Sequence, residues 1–259
     1  MTIARITPVI LTFNEEPNIG RTLSGLAWAG KVIVVDSGST DQTLEICEKF
    51  PNVEVHGRPF DTHAQQWNYA ISLSPTSWVL SLDADYQLSP SFVDALKTVD
   101  LDCQYAGYCA RFRYLVFERP LRASILPPRC VLFDRNRCEY FDDGHTQRLQ
   151  CNGERSMLEE WIDHDDRKSL ERWTTAQVRY ARLEVRKLME SKPGALSLSD
   201  RIRRKCWIAP WLVPVIALVR SGIILDGWRG WYYALQRGIA EAVLALLILE
   251  ARIGRSRGP

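Results

Sequence analysis

Short apolar runs alternate with helical patterns through the first hundred residues, and this alternation limits the folds open to the chain more than any other feature. The run Lys31–Asp36 is apolar at almost every position, which is typical of a strand buried on both faces of a parallel sheet. Comparable runs are Ile6–Leu11, Val53–His56 and Trp78–Leu82. The helical patterns between the runs are Pro17–Leu26, Thr43–Phe50 and His63–Leu73. The alternation predicts right-handed βαβ units and hence an α/β protein with a doubly wound sheet.

Polar residues follow three of the predicted strands, as Asn14-Glu15, Asp36–Asp41 and Asp83-Ala84-Asp85. Ligands of doubly wound sheets bind beyond the carboxyl ends of the strands, so we expect one crevice to contain all three clusters. Asp83 and Asp85 are the most informative, because two carboxylates at a rigid strand end can hold a divalent cation together with ribose hydroxyls. Oxygen ligands of this kind suit Mg²⁺ or Mn²⁺ bound to a diphosphate.

Three segments of this region resemble the family 2 glycosyltransferases, which have the GT-A fold. They are Val9–Glu16, Val34–Thr43 and Leu80–Asp85, and they occur in the family's order and spacing. Within the family, the chain is most similar to the bacterial branch of lipopolysaccharide-core β-glucosyltransferases, whose members act at the cytoplasmic face of the inner membrane. The resemblance implies a mostly parallel GT-A sheet with a Rossmann-like nucleotide-binding half. It also implies inverting transfer of a sugar from a nucleotide donor, with UDP as the expected nucleotide.

The resemblance also indicates which residues bind the donor. Phe13 is expected to pack against the base, and Ser37 stands where the family often has a second acid. Asp83 is expected to face the ribose or the metal, and Asp85 to bind the metal, Mg²⁺ or Mn²⁺. His164 is predicted either to be a third metal or phosphate ligand or to cap the following helix. The residues expected to bind the nucleotide sugar are Thr12, Phe13, Asn14, Glu15, Asp36, Ser37, Gln66 and Asp83.

Inverting transfer requires a carboxylate or an imidazole that removes the proton from the acceptor hydroxyl. The related branch often has a His-Glu pair after the sheet, and this chain has Asp142-Asp143-Gly144-His145 in the matching stretch. We predict that Asp143 is the general base, with Asp142 and His145 as alternatives. The competing interpretation is a polar turn without a catalytic part.

The last sixty residues differ in composition from the rest. They contain 10 Lys and Arg against 4 Asp and Glu, which gives a charge of +6. The whole chain has a net charge of +2, so residues 1–199 carry a charge of −4. Cys206–Val219 is an apolar run of fourteen residues, shorter than the roughly 20 needed to span a bilayer. Trp207, Trp211, Trp228 and Trp231 also lie in this region, and Trp favours the headgroup layer. These features predict an interfacial, monotopic anchor. A buried core hairpin or a dimer interface is the alternative.

We therefore predict a glycosyltransferase domain at residues 1–199 and a membrane-associated helical region at residues 200–259. The predicted function is metal-dependent, inverting transfer to a lipid-linked or cell-envelope glycan at the cytoplasmic face of the inner membrane. Two alternatives stay open: a polyprenyl-phosphate glycosyltransferase, which needs no general base, and a non-catalytic scaffold that binds nucleotide sugars. The near-neutral net charge argues against a nucleic-acid partner. The seven cysteines include no CxxC pair, so we expect free thiols.

Overall fold

The computed structural model of the chain describes residues 2–122, 127–143, 146–191, 194 and 196–256. These residues form two compact units. The first unit contains the described residues up to Arg167, and the second contains those from Lys168 onward together with Leu121, Arg122 and Asp143. The sequence of Asp166–Ser191 predicts a long polar helix before the expected boundary at residue 199. In the structure this helix groups with the C-terminal helices.

The first unit is built on a large sheet with helices on both faces. Its strands are β1 Ile6–Thr12, β2 Val32–Asp36, β3 Val53–Gly57, β4 Trp78–Asp83, β5 Tyr86–Leu88, β6 Gly107–Val116, β7 Arg119–Pro120, β8 Arg129–Asp134 and β11 Arg155–His164. A separate hairpin pairs β9 Cys138–Asp143 with β10 Thr146–Cys151. The helices are α1 Ile19–Ser24, α2 Thr43–Cys47, α3 His63–Ser72 and α4 Pro90–Thr98.

The sheet has the strand order β3-β2-β1-β4-β8-β6-β11-β5, and β7 pairs with β6. The strands β3, β2, β1 and β4 pair in parallel, as the sequence predicts. The strand β8 is antiparallel to both of its neighbours, so β6 and the parallel β11 run in the same direction as β1. Six of the eight strands in this order therefore share one direction, which confirms the predicted doubly wound, mostly parallel α/β sheet with the GT-A fold.

Burial on both faces explains why the central strands are apolar throughout. In β2, Val32 and Val34 pack in a core cluster with α1 and α4, whereas Ile33 and Val35 pack on the opposite face with α3. All five residues of β2 are buried. A strand with only one buried face would alternate apolar and polar residues instead. The same burial places the polar residues of β1, β2 and β4 at the ends of the strands, where they are available for ligands.

The second unit consists of helices. They are α5 Leu170–Glu190, α6 Leu198–Arg204, α7 Ala209–Val215 and α8 Trp228–Ser256, with a π-helical turn at Ile216–Arg220. Both α5 and α7 pack against α8. The helix α5 starts later than predicted because Ser169 caps it, accepting a hydrogen bond from Arg172 N at 3.3 Å. Within the described part of the chain, no helix combines the length and the apolar character that crossing a membrane requires.

Candidate active site

The shared direction of the strands brings the predicted site residues to one edge of the sheet. Thr12 ends β1, Asp36 ends β2, Asp83 ends β4 and His164 ends β11. Because β8 runs in the opposite direction, its first residue, Arg129, lies at the same edge. The sequence analysis did not identify Arg129, since its location depends on the antiparallel insertion of β8 between distant strands.

The loops after β1 and β2 are locked together by hydrogen bonds. Asn14 has a positive φ of 56°, a left-handed conformation that Asn tolerates better than most residues. Its side-chain oxygen accepts a hydrogen bond from Thr40 N at 2.7 Å, and its own N–H donates to Ser39 Oγ at 2.7 Å. Glu15 N donates to Thr43 Oγ1, also at 2.7 Å. The two predicted nucleotide-binding loops therefore form one fixed surface.

Asp36 organises the second of these loops. Its buried Oδ2 accepts hydrogen bonds from Gly38 N and Ser39 N, both at 2.8 Å, and its Oδ1 accepts one from Ser39 Oγ at 2.5 Å. These three bonds hold the turn in which Gly38 adopts a φ of 92°. The contacts in the structure thus give Asp36 a positioning role in the loop. Ser37 Oγ accepts a hydrogen bond from Gln66 Nε2 at 3.1 Å, so Ser37 and Gln66 are brought together as well.

Two buried polar atoms in this region have unused hydrogen-bonding capacity. Thr12 Oγ1 and Gln66 Oε1 have no hydrogen-bond partner within the part of the chain that the structure describes. Buried polar atoms are normally paired, so such exceptions are candidates for contacts with a ligand. Phe13, between the two loops, is 45% exposed, and its ring is available to stack on a base.

Neighbouring residues restrict the positions of Asp83 and Asp85. Thr22 Oγ1 donates to the carbonyl of Ala84 at 2.7 Å, which fixes the backbone between the two carboxylates. The charge of Asp83 acts on the buried phenol of Tyr86, and Asp85 Oδ2 lies 3.0 Å from His164 Nε2. Asp85 is buried, so its carboxylate has a restricted position. The structure thus brings Asp85 and His164 into direct contact, although 79 positions separate them in the sequence.

His164 lies at the end of β11 and does not cap a helix, because Ser169 caps α5. Its ring packs against Tyr114, with 4.4 Å between the ring centroids. Burial acts to lower the pKa of His164, but the carboxylates of Asp85 and Asp83 outweigh it, and the pKa is raised overall. The imidazole and the Asp85 carboxylate are therefore electrostatically coupled.

A second ionic group supports the segment after His164. The buried Asp165 accepts hydrogen bonds from Arg21 at 2.5 Å and from Gln87 at 3.2 Å. Its backbone N–H donates to the Asp85 carbonyl at 3.0 Å. Arg21 and Asp165 were missed by the sequence analysis, because no local spacing links a helix after β1 to a residue that follows β11.

The predicted base residues have different surroundings. Asp142 Oδ1 accepts a hydrogen bond from Ala64 N at 3.0 Å, in the first turn of α3. Asp143 forms an ion pair with Lys187 Nζ at 2.7 Å within the second unit. The third predicted residue, His145, is outside the described residues. As they stand, the described His, Cys, Asp and Glu side chains include no group of three or more arranged to hold a metal ion.

Comparison with known proteins identifies the family. The sequence profile of Glycosyl transferase family 2 matches residues 7–147, which is 141 of the 259 residues. An uncharacterized glycosyltransferase of Rickettsia conorii is 35% identical over 117 residues, covering 44% of this chain and 41% of the relative. The lipopolysaccharide core biosynthesis glycosyltransferase LpsC of Rhizobium meliloti is 25% identical over 95 residues, or 35% of each chain. The match thus spans about two fifths of the Rickettsia relative's length.

The fold is also found among solved structures. A mannosyltransferase of Pyrobaculum calidifontis, solved in complex with GDP-mannose and Mn²⁺, superposes with a TM-score of 0.53 at 16% identity. The superposition covers 93% of this chain and 87% of that one. Since the family profile covers more than half of the chain and the sheet has the expected topology, this chain belongs to glycosyl transferase family 2 and has the GT-A fold.

Proposed function

We propose that this glycosyltransferase moves a sugar, with inversion, from a UDP-linked donor to a lipid-linked or cell-envelope glycan. The observation that carries the proposal is the contact between Asp85 and His164 at the strand edge that also holds Asp83 and the two interlocked loops. This arrangement supplies acidic ligands and a nucleotide-binding surface on one rigid framework. Its rigidity suits a donor that must be held in one orientation while the bond to the sugar breaks.

The described side chains at this edge supply donor atoms of the kind that a divalent metal ion takes, although as they stand they are not arranged around one. Asp83 and Asp85 are oxygen ligands, and His164 Nε2, in contact with Asp85, adds a nitrogen that Mn²⁺ accepts. When bound, Mn²⁺ or Mg²⁺ would neutralise charge on the diphosphate leaving group. Arg129 adds a fixed positive charge, because its guanidinium lies 3.4 Å from the Tyr86 hydroxyl and interacts with the charge of Asp83. The mannosyltransferase of similar fold was solved with Mn²⁺ and a nucleotide sugar, which supports this choice.

Asp143 is the proposed general base. An acceptor hydroxyl loses its proton as the glycosidic bond forms, and a carboxylate can take it up. Asp142 is the alternative, and its Oδ1 accepts a hydrogen bond from an amide at the start of α3. The proposal for His145 stays a prediction from the sequence.

The proposed acceptor is held at the cytoplasmic face of the inner membrane. Support comes from the second unit, in which Trp207 and Trp211 are 75% and 79% exposed. Arg201, Arg204 and Lys205 directly precede them in the sequence. Exposed Trp beside basic residues favours the headgroup region of an anionic leaflet. The similarity to the lipopolysaccharide-core enzyme LpsC agrees with a cell-envelope acceptor.

The proposal is tested by a transfer assay with the full-length protein, a panel of UDP- and GDP-sugars, and membrane extract as the acceptor source. Asp85→Asn should lower transfer by at least about 100-fold, because one metal ligand is lost. EDTA should abolish transfer, and added Mn²⁺ should restore it. The control Asp94→Asn changes an exposed carboxylate of α4 that pairs with Lys97, and it should leave transfer unchanged. Full turnover in excess chelator would overturn the metal assignment, and donor binding without transfer would favour the scaffold.

The same assay separates the two lipid acceptors. Asp143→Asn keeps the shape of the side chain and removes its basicity, which should lower transfer to a sugar hydroxyl by about 10²–10⁴-fold. A polyprenyl phosphate is already ionised and needs no base, so transfer to it would be unaffected. Near-wild-type transfer by Asp143→Asn, Asp142→Asn and His145→Ala would therefore favour the polyprenyl-phosphate alternative.

A further inference from the structure

Four of the cysteines lie together in the first unit, and none of them is assigned to sugar transfer. Cys109 and Cys130 face each other on the paired strands β6 and β8, and Cys138 and Cys151 belong to the hairpin β9–β10. Cys130, Cys138 and Cys151 pack in the same core cluster, and the thiols shift the pKa values of their neighbours: Cys130 interacts with Cys109 and Cys151, and Cys151 also interacts with Cys138. All four are free thiols.

Cys138 and Cys151 are held as a pair by the backbone. Cys138 begins β9 and Cys151 ends β10, and Asn152 N donates to the Arg137 carbonyl at 2.7 Å directly beside them. Residues that face each other across antiparallel strands have Cα atoms about 4.5–5.5 Å apart, which lies within the range that disulfides bridge. A bond between these two sulfurs therefore requires little movement of the hairpin.

An open cleft of about 760 Å³ gives access to this pair. Cys138 and Cys151 both line it, together with Arg135, Arg137 and residues of α3. Cys151 is partly exposed, whereas Cys138 is buried. A small molecule such as a hydroperoxide can therefore reach the Cys151 sulfur while the Cys138 sulfur stays behind it.

The surroundings of Cys151 favour its thiolate. The neighbouring thiols of Cys130 and Cys138 lower the pKa of Cys151, and the positive charges of Arg155 and Arg137 lower it further against the opposing effect of burial. Arg137 is fixed in place, because its guanidinium donates to the carbonyls of Asn152, Tyr105 and Gln104. By contrast, the neighbouring Cys151 thiol and burial raise the pKa of Cys138, whose Sγ donates a hydrogen bond to the Ala106 carbonyl at 3.5 Å. One sulfur of the pair is thus a nucleophile and the other a protonated partner.

We propose that Cys151 and Cys138 form a hydroperoxide-reactive thiol pair, in which Cys151 is oxidised first and Cys138 then closes a disulfide. The Cys151 thiolate attacks the peroxide, so that an S–O bond forms, the O–O bond breaks, and the departing hydroxide leaves as water after taking up a proton. The Cys138 thiol then attacks the Cys151 sulfenic acid, so that the S–S bond forms, the S–O bond breaks, and a second water leaves. Two thiols and one hydrogen peroxide give one disulfide and two waters.

The first test measures reactivity in the intact, reduced protein. Hydrogen peroxide treatment followed by peptide mapping without reduction should give a Cys138–Cys151 disulfide. Alkylation by iodoacetamide at pH 6 should be at least about tenfold faster at Cys151 than at the partly exposed Cys103, because the thiolate is the reactive form. Equal rates at the two cysteines, or one tightly bound zinc ion per chain, would overturn the proposal.

Variants separate the two steps. In Cys138→Ser the disulfide cannot close, so peroxide should leave a Cys151 sulfenic acid that dimedone traps. The control is Cys47→Ser, which removes a buried thiol whose pKa is raised to about 11 by burial, and it should form the disulfide as the wild type does. A disulfide between Cys130 and Cys151 in the wild type would reject Cys138 as the partner. None of these outcomes depends on the proposed glycosyltransferase reaction.

Discussion

The buried phenol of Tyr86 is close enough to the Asp83 carboxylate to interact with its charge, and we expect it to donate a hydrogen bond there. Burial raises the pKa of Tyr86 well above its ordinary value, and the charge of Asp83 raises it further. The phenol therefore keeps its proton at neutral pH and stays a donor. Because a carboxylate with a fixed donor has fewer accessible orientations, Tyr86 positions Asp83 for its ligand.

We expect Tyr86→Phe to weaken transfer without unfolding the protein. Phe keeps the ring that packs against Phe112, with 4.9 Å between the centroids, and loses only the hydroxyl. A hydrogen bond to a charged group contributes about 1.5–3 kcal/mol, so kcat/KM should fall by about 10–100-fold. Initial rates and thermal melts of the two proteins measure this. A large fall in melting temperature with unchanged kcat/KM would contradict the positioning role.

Asp142, one of the predicted base residues, contacts the start of α3 in the structure. Its carboxylate accepts a hydrogen bond from Ala64 N, beside the Thr62 cap of α3. Negative charge at a helix N-terminus is stabilising, and so is pairing an otherwise unsatisfied amide. The geometry therefore supports a structural role for Asp142 more directly than a catalytic one.

Asp142→Ala should lower the free energy of unfolding by about 1 kcal/mol, the typical loss for a helix cap. Urea denaturation measures this, provided that the slope of the transition is unchanged. Glu139→Ala, which removes an exposed carboxylate from the same strand, should change stability by less than about 0.5 kcal/mol. If the two variants are equally stable, the capping interpretation of Asp142 is wrong.

At the scale of elements, the second unit depends on a close approach between α8 and the turn Ile223–Asp226. A Cβ atom added to Gly230 would overlap the Ile223 carbonyl, and one added to Gly238 would lie 2.8 Å from Pro214 Cγ. The helix thus contains glycine where neighbouring backbone or proline leaves no room for a side chain. The apolar sequence of α8 does not reveal this requirement.

Gly230→Ala should destabilise the second unit, although alanine is the better helix former by about 1 kcal/mol. The overlap involves backbone atoms, which cannot rotate away as a side chain does, so the helix or the turn has to shift. Gly254→Ala is the matched control in the same helix, because its Cβ would meet nothing within 4 Å. Thermal melts should show a lower melting temperature for the first variant only. Equal melting temperatures would contradict the close packing.

The sequence predicts some elements better than others for physical reasons. The strands β1, β2 and β4 are buried on both faces, so their apolar runs are visible without any knowledge of the fold. The hairpin β9–β10 cannot be recognised in this way, because β9 contains Glu139, Asp142 and Asp143 and has only two buried residues. The sequence of Glu139–Asn152 alone favours a loop with a short strand, and the structure has two paired strands.

At the scale of the whole molecule, some residues of the site could be predicted from the sequence and others could not. Asp83 and Asp85 could be predicted, since any strand of a parallel sheet presents its carboxyl end at the ligand edge. Arg129 could not, because it reaches this edge only through β8, which is inserted antiparallel between β4 and β6. Polar residues inside the apolar C-terminal segment are also explained by contacts with residues that are distant in the sequence. Glu241 is buried and pairs with Arg203 at 2.6 Å, a contact between α8 and α6.

The second unit presents a large apolar surface in addition to its core. The exposed side chains include Trp207, Trp211, Val219, Leu225, Trp228, Trp231 and Leu235. Exposed large apolar side chains in this number favour an interaction site. The excess of positive charge in residues 200–259 and the abundance of Trp favour an anionic lipid surface over a second copy of the chain.

We therefore expect the full-length protein to sediment with vesicles of phosphatidylcholine that contain phosphatidylglycerol. Replacing both Trp207 and Trp211 by alanine should reduce binding by at least about tenfold. A tenfold change corresponds to about 1.4 kcal/mol, which is small compared with the free energy gained when two tryptophans bury their apolar area. The control Trp161→Ala removes a partly exposed tryptophan from the first unit and should bind as the wild type does. High salt should release only part of the bound protein, because charge screening acts on the arginines and leaves the buried tryptophan contacts intact. Unchanged binding by the double variant, or complete release by salt, would show that the tryptophans do not anchor the protein.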